Sequence, residues 1–221
     1  EEGLRMALEN NPDLIISDLM MRKMNGIEMC KIIKNDIKTS HIPVIILTAK
    51  SGLENEKEGL ETGADEFVLK PFNIEVLKLR VANILKTKKQ WAVKFKTKPT
   101  SSTWKELSSK LDKDFLKKSL KIIKINIDKT DYTVEQFALD IGMSRSALHK
   151  KIKSITGQST TEFIRTIRIK RASALMKTGK FSITEITFMV GFSDIKYFRA
   201  CFKKQFKQTP TEFIKNYKEI V

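Results

Sequence analysis

Cysteine is nearly absent, with Cys30 and Cys201 the only two thiols in 221 residues. Neither belongs to a C-x-x-C pair, which excludes a disulfide-stapled secreted fold and a thiolate metal site and fits a reducing compartment. Long apolar runs are missing as well. The longest stretch without Asp, Glu, Lys or Arg covers residues 39–49, well short of the roughly 18 to 20 apolar residues of a membrane helix. No basic-then-apolar leader with a cleavage site stands at the start of the sequence, so no signal peptide is expected. Aromatic residues make up only 8%, yet 41% of the chain is apolar, enough to bury the cores of one or two ordinary domains.

What is abundant is positive charge, and it is unevenly placed. Residues 1–86 hold 12 basic against 14 acidic side chains, net −2, whereas residues 87–221 hold 30 against 12, net +18, giving +16 overall. Such asymmetry marks a polyanion-binding module joined to something else. The plainer alternative is a solvated, lysine-rich surface, since Lys outnumbers Arg 34 to 8.

The first part reads as an α/β sheet. Leu14-Ile15-Ile16, Val44-Ile45-Ile46-Leu47 and Phe67-Val68-Leu69 are short runs apolar on both faces, as buried parallel strands are. Helices are expected over 26–35, 53–61 and 74–86. The strands end at Asp18, Thr48 and Lys70, and strand carboxyl ends in an open α/β sheet meet at one crevice. A carboxylate, a hydroxyl and an ammonium gathered there suit phosphoryl transfer: nucleophile, hydrogen-bond donor and charge partner. Taken singly, a strand-terminal Asp or Thr is more often a cap or turn former.

The motifs Asp18-Leu19-Met20-Met21-Arg22-Lys23-Met24-Asn25-Gly26, Leu47-Thr48-Ala49, Gly63-Ala64-Asp65 and Lys70-Pro71-Phe72 resemble the receiver domain of two-component response regulators. The resemblance covers residues 1–86 and implies a flavodoxin-like fold. It makes Asp18 the phosphoacceptor, Thr48 the switch hydroxyl, Phe67 the switch aromatic and Lys70 the phosphate-sensing lysine, with a cis peptide expected at Lys70-Pro71. Arg22 and Asn25 stand where the family usually has Pro and Asp. The three strands correspond to the third, fourth and fifth of the family's five, with the first helical segment as its second helix. The acidic pair that would share a Mg²⁺ ion with Asp18 is then missing. Mg²⁺ is expected for a complete receiver, but this fragment is expected to bind none well and to accept phosphate poorly.

Residues 87–112 read as a basic linker with Lys88, Lys89, Lys94, Lys96 and Lys98, then Pro99-Thr100-Ser101-Ser102-Thr103. Trp91 and Trp104 leave open whether this stretch docks on a domain. Residues 113–221 are wholly helical in pattern and contain a repeat. Residues 134–144 align with 183–193 at an offset of 49, pairing Gly142 with Gly191 and Ser144 with Ser193. After one inserted residue the offset is 50, pairing Leu148 with Phe198, Ile152 with Phe202, and the glutamates Glu162 and Glu212. Each copy has a short helix, a glycine to end it and a serine to cap the next, the grammar of a helix-turn-helix. At 100° per residue, Leu148, Ile152 and Ile155 in one copy, and Phe198, Cys201, Phe202 and Phe206 in the other, form buried stripes. Ser146, Lys150, Lys153 and Ser154, with His149 on the flank, and Lys196, Ala200, Lys203, Lys204 and Lys207 face outward. Cys201 is then a small hydrophobe, and His149 has no metal-ligating partner in register.

Ile186, Gly191-Phe192-Ser193-Asp194, Tyr197-Phe198, Phe202-Lys203-Lys204 and Thr209-Pro210 resemble the AraC-type DNA-binding domain, two helix-turn-helix units joined by a long helix over about residues 161–176. The resemblance puts Ser146, His149 and Lys150 in one major groove and Lys196, Tyr197 and Ala200 in the next, with Lys153, Arg199 and Lys203 beside them. Ala200 stands where the family often has Arg or Lys; it can pack on a thymine methyl but cannot read guanine. The implied partners are double-stranded promoter DNA, a cognate histidine kinase and a second copy in a homodimer. The implied place is the cytoplasm, or the cytoplasmic end of an inner-membrane hybrid sensor, and no enzyme activity is expected of this chain. Two readings remain: a DNA-binding regulator switched by aspartyl phosphorylation, and a phosphorelay receiver of a hybrid histidine kinase whose basic half binds polyanions without specificity.

Overall fold

A computed structural model describes residues 1–49, 62–97 and 109–218; the helix expected over 53–61, the stretch 99–103 and Trp104 lie outside them. The chain divides into two compact units, residues 1–115 with 153–157 and residues 116–152 with 158–221.

The first unit runs α1 (Glu2–Asn10), β1 (Ile15–Asp18), α2 (Gly26–Asn35), β2 (Val44–Thr48), β3 (Glu66–Leu69) and α3 (Ile74–Thr97). The described strands are parallel in the order β1-β2-β3, with Asp18 beside Leu47 and Thr48 beside Leu69. Val44, Ile45 and Ile46 of the central strand are fully buried, because helices cover both faces. Val44 and Ile46 pack with Ala7, Met29, Cys30 and Ile33 of α1 and α2. Ile45 packs with Val68 and with Leu77 of α3. That two-sided burial is why these strands read as continuous apolar runs rather than alternating ones. The Gly63-Ala64-Asp65 turn fastens β2 at its start: the Val44 amide donates to Asp65 Oδ2 at 2.8 Å, and Lys34 Nζ donates to the same oxygen at 2.5 Å.

Helix α3 does not stop at residue 86 but continues to Thr97. Leu77, Val81, Ile84, Lys88, Trp91 and Phe95 recur every three or four residues, one face of a helix. Trp91 and Phe95 are buried, with ring centroids 5.4 Å apart. The lysines of this stretch disguise the stripe in sequence, and the apolar stem of Lys88 occupies one position on it.

The second unit is helical throughout: α4 (Lys110–Ile125, of which residues 116–125 belong here), α5 (Val134–Ile141), α6 (Arg145–Thr156, of which residues 145–152 belong here), α7 (Thr160–Thr178), α8 (Ile183–Met189), α9 (Ile195–Phe206) and α10 (Pro210–Lys218). Helix α7, 19 residues and so about 28 Å long, is buried at Phe163, Ile164, Ile167, Ile169, Ala172, Leu175 and Met176. Its second half, with Ile186, Val190, Phe192, Phe198 and Phe202, forms one core. Phe206 and Phe213 extend that core as further rings, 4.7 and 5.4 Å from Phe202.

Candidate phosphoacceptor site and nucleic-acid interface

Parallel pairing sets the first site. The Leu19 amide donates to the Leu47 carbonyl at 2.8 Å, and the Lys70 amide to the Thr48 carbonyl at 2.7 Å, so Asp18 and Thr48 at the ends of β1 and β2 and Lys70 just past β3 lie at the same, carboxyl end of the sheet. Lys70 Nζ lies 2.5 Å from Asp18 Oδ2, and the Met20 amide donates to Asp18 Oδ1 at 3.2 Å. The lysine hydrogen bond, then the amide, hold the Asp18 carboxyl below the usual carboxylate range. Asp18 and Lys70 remain over a third exposed, open to a partner molecule, while Thr48 is buried. Phe67 is partly buried against the α1–α2 side of the sheet, and the Lys70-Pro71 peptide is cis.

The loop after Asp18 closes through residues whose roles appear only in three dimensions. The Gly26 amide donates to the Leu19 carbonyl at 2.9 Å, and a Cβ on Gly26 would collide with the Asp18 carbonyl oxygen. Asn25 is the N-cap of α2: the Glu28 amide donates to its side chain at 2.8 Å, and Glu28 accepts from the Asn25 amide. Asn caps a helix about as well as Asp, so the unusual residue keeps the loop's local function.

Mg²⁺ takes six oxygens in near-octahedral order. Asp18 offers one carboxylate, already paired with an ammonium, and among the described residues no three acidic, imidazole or thiol side chains converge. These residues do not fit the ion that the receiver resemblance implies.

In the second unit the repeat is reproduced to individual hydrogen bonds. The Gly142 amide donates to the Leu139 carbonyl and the Gly191 amide to the Phe188 carbonyl, both at 3.0 Å. Met143 to Ala138 at 2.9 Å matches Phe192 to Thr187 at 3.1 Å. Both glycines are left-handed, φ 81° and 74°. The cap of the second copy differs from the sequence reading. Ser144 accepts from the Ala147 amide at 3.3 Å, but in the other unit Asp194, not Ser193, accepts from Tyr197 at 2.6 Å. The inserted residue falls before the cap, so the offset of 50 already applies there.

Leu148, Ile152 and Ile155 of α6, and Phe198 and Phe202 of α9, are buried, with Cys201 and Phe206 partly so. Ser146, His149, Lys150 and Lys153, and Lys196, Tyr197, Arg199, Ala200 and Lys203, are all exposed. Ser154, expected outside, is only partly exposed.

Two arginines of α7 escaped the sequence reading because nothing in their own segment marks them. Arg168 donates to the Gly191 carbonyl at 2.9 Å and to the Lys129 carbonyl at 2.6 Å. Arg165 donates to the Tyr197 hydroxyl at 3.0 Å.

Residues 1–82 match the family model of the response regulator receiver domain, and residues 137–216 that of a helix-turn-helix domain. Histidine kinase P4 of Formosa agariphila is 43% identical over 217 residues, 98% of this chain and 16% of that protein. Response regulator ArlR of Staphylococcus haemolyticus is 43% identical over 90 residues, 41% of this chain and 40% of that protein. The chain thus spans less than half the length of either relative. Among solved structures, the C-terminal domain of AraT, a response regulator from Geobacillus stearothermophilus, is 25% identical with a TM-score of 0.43, covering 46% of this chain and 84% of that one.

Proposed function

We propose that residues 1–82, which match the response regulator receiver model, and residues 137–216, which match a helix-turn-helix model, work as a receiver and an AraC-type DNA-binding domain, so that the chain regulates transcription by binding promoter DNA under control of aspartyl phosphorylation. The observation that carries this reading is the duplicated unit: two capped helices, each with a buried apolar stripe and an exposed face containing lysines. Ser146, His149, Lys150 and Lys153 form one reading surface, and Lys196, Tyr197, Arg199, Ala200 and Lys203 the other. Lysines supply phosphate contacts that position the protein, and residues at the helix starts read base edges.

With the further oxygens that Mg²⁺ needs supplied, as in a complete receiver, an ionised Asp18 oxygen attacks the phosphorus of a phosphohistidine in a partner kinase. The P–N bond breaks and an acyl phosphate forms. Thr48 donates to a phosphoryl oxygen, Lys70 pairs with its charge and Phe67 follows the rearrangement. The finer assignment is that β1, β2 and β3 are strands three to five of the receiver fold. The chain itself acts as a regulator in the cytoplasm, pairs as a homodimer and catalyses no reaction of its own. The match of 98% of this chain to 16% of a protein named a histidine kinase supports the variant in which it is part of a hybrid sensor.

A duplex enriched by the full chain from a random pool, competed with its scrambled sequence at about 0.15 M salt, tests the regulator reading. A preference of at least about a thousandfold is expected of a specific binder. Equal affinity for the two would leave the polyanion-binding phosphorelay as the function.

A further inference from the structure

Tyr197 is the third residue of α9 and 52% exposed. Left alone, a phenol at a helix start turns freely; here both of its ends are held. Its ring lies 5.9 Å from that of Phe192, and its oxygen accepts a hydrogen bond from Arg165 of α7. The other prong of the Arg165 guanidinium is 3.7 Å from Glu162. The Glu162 carboxylate in turn accepts from the Ser159 amide at 3.1 Å in the capping box of α7. A polar chain therefore runs from the N-cap of the linker helix to the reading end of the second recognition helix.

The repeat shows what is particular about this arginine. At the offset of 50, Ser159, Glu162 and Arg165 correspond to Thr209, Glu212 and Lys215. Thr209 and Glu212 make the same reciprocal cap, at 2.7 and 3.3 Å. Lys215 is simply exposed, and among the described residues no recognition helix follows it. The fork stands where there is a following helix to hold, and only a fork grips carboxylate and phenol at once in fixed geometry.

We propose that Arg165 is a positioning residue for DNA recognition, acting through Tyr197; this rests on the DNA-binding reading above. Because the phenol oxygen accepts from Arg165, its own proton is directed away from the arginine and donates to the duplex. Tyr197 then favours base edges that present an acceptor, guanine N7 or O6, adenine N7 or thymine O4, over the amino donor of cytosine.

The test enriches duplexes from a random pool with the full chain and its variants. Tyr197→Phe is expected to relax base preference by about two- to tenfold, the worth of one hydrogen bond, at one position in the half-site that Lys196→Ala also affects. Arg165→Ala should relax the same position to the same extent, the double variant should be no worse than either, and the salt slope should not change. A merely structural arginine would not move the preference at a single base position. Arg165→Ala weakening all sequences alike with a slope shallower by about 0.9, a phosphate contact, would overturn the proposal, as would effects that add to those of Tyr197→Phe. Should Arg165→Ala lose its helical circular dichroism, Arg165→Gln takes its place. If the unaltered chain enriches no sequence, the DNA-binding reading itself has failed, and this is seen before any variant is made.

Discussion

Asp18 can serve as the proposed nucleophile only while ionised, and the Lys70 ammonium at 2.5 Å favours that form. With its pKa depressed in the folded state, the pair stabilises the fold above the ordinary carboxylate range. That contribution is lost as pH falls through the depressed value. Lys70→Met should therefore move the Asp18 titration upward, read from its carboxyl carbon by NMR; an unmoved titration would make the Met20 amide the dominant influence. The same pair bears on phosphate uptake. Without a set of oxygens that fits Mg²⁺ among the described residues, incubation with acetyl phosphate and Mg²⁺ should add little of the roughly 80 Da of a phosphoryl group. A stoichiometric gain on Asp18 would show that the residues present suffice. Both ends of this site were legible in the sequence, since each follows an apolar run. Gly26 and Arg165 have roles defined by contacts distant in sequence, Asp18 and Tyr197, which no local pattern encodes.

Among the elements, the turns of the repeat carry the sharpest energetic contrasts. Gly142 and Gly191 share a left-handed backbone, but a Cβ at 142 meets nothing within 4 Å, whereas at 191 it collides with the Ile127 carbonyl and approaches Arg168 Cζ to 2.9 Å. Gly142→Ala should cost about 1 to 2 kcal/mol, the left-handed penalty alone, and Gly191→Ala clearly more, measured by urea unfolding of the full chain. Equal costs would mean that the Ile127 carbonyl and the Arg168 side chain both yield freely. The opposite change is available at the end of α9. Lys207 has φ 62° where the first copy has Gly157 at 65°, so Lys207→Gly should stabilise by about 0.5 to 1 kcal/mol in the same assay. The paired helices and their glycines were readable because the repeat states them twice. The reach of α3 to Thr97 was not, because lysines interrupt its apolar stripe. The Asp194 cap was missed because alignment favours the matching serine over the shifted register.

For the whole molecule, the lysines that would meet phosphates in the proposed complex, a subset of the charges behind the net +16, would set how binding responds to salt. Each phosphate neutralised steepens the dependence of log affinity on log salt by about 0.9. Lys150→Ala and Lys203→Ala should each make that slope shallower by about this amount, whereas Lys31→Glu on the exposed face of α2 should leave it unchanged. A shift with the Lys31 variant would bring the receiver into the electrostatics of binding. The partition of charge between the two halves was visible in composition alone, while the choice of which lysines face outward needed helical phase. That phase also gives meaning to the extra residue between Gly191 and Asp194. Added ahead of the cap, a residue lengthens the turn and leaves every side chain of the following helix at its angle. Added one turn later, it would rotate the remainder by 100° and put Cys201 in the place of Phe202 and Gln205 in that of Phe206. The turn is thus a tolerant seam, where one copy of a duplicated unit can change length without exchanging its inside for its outside.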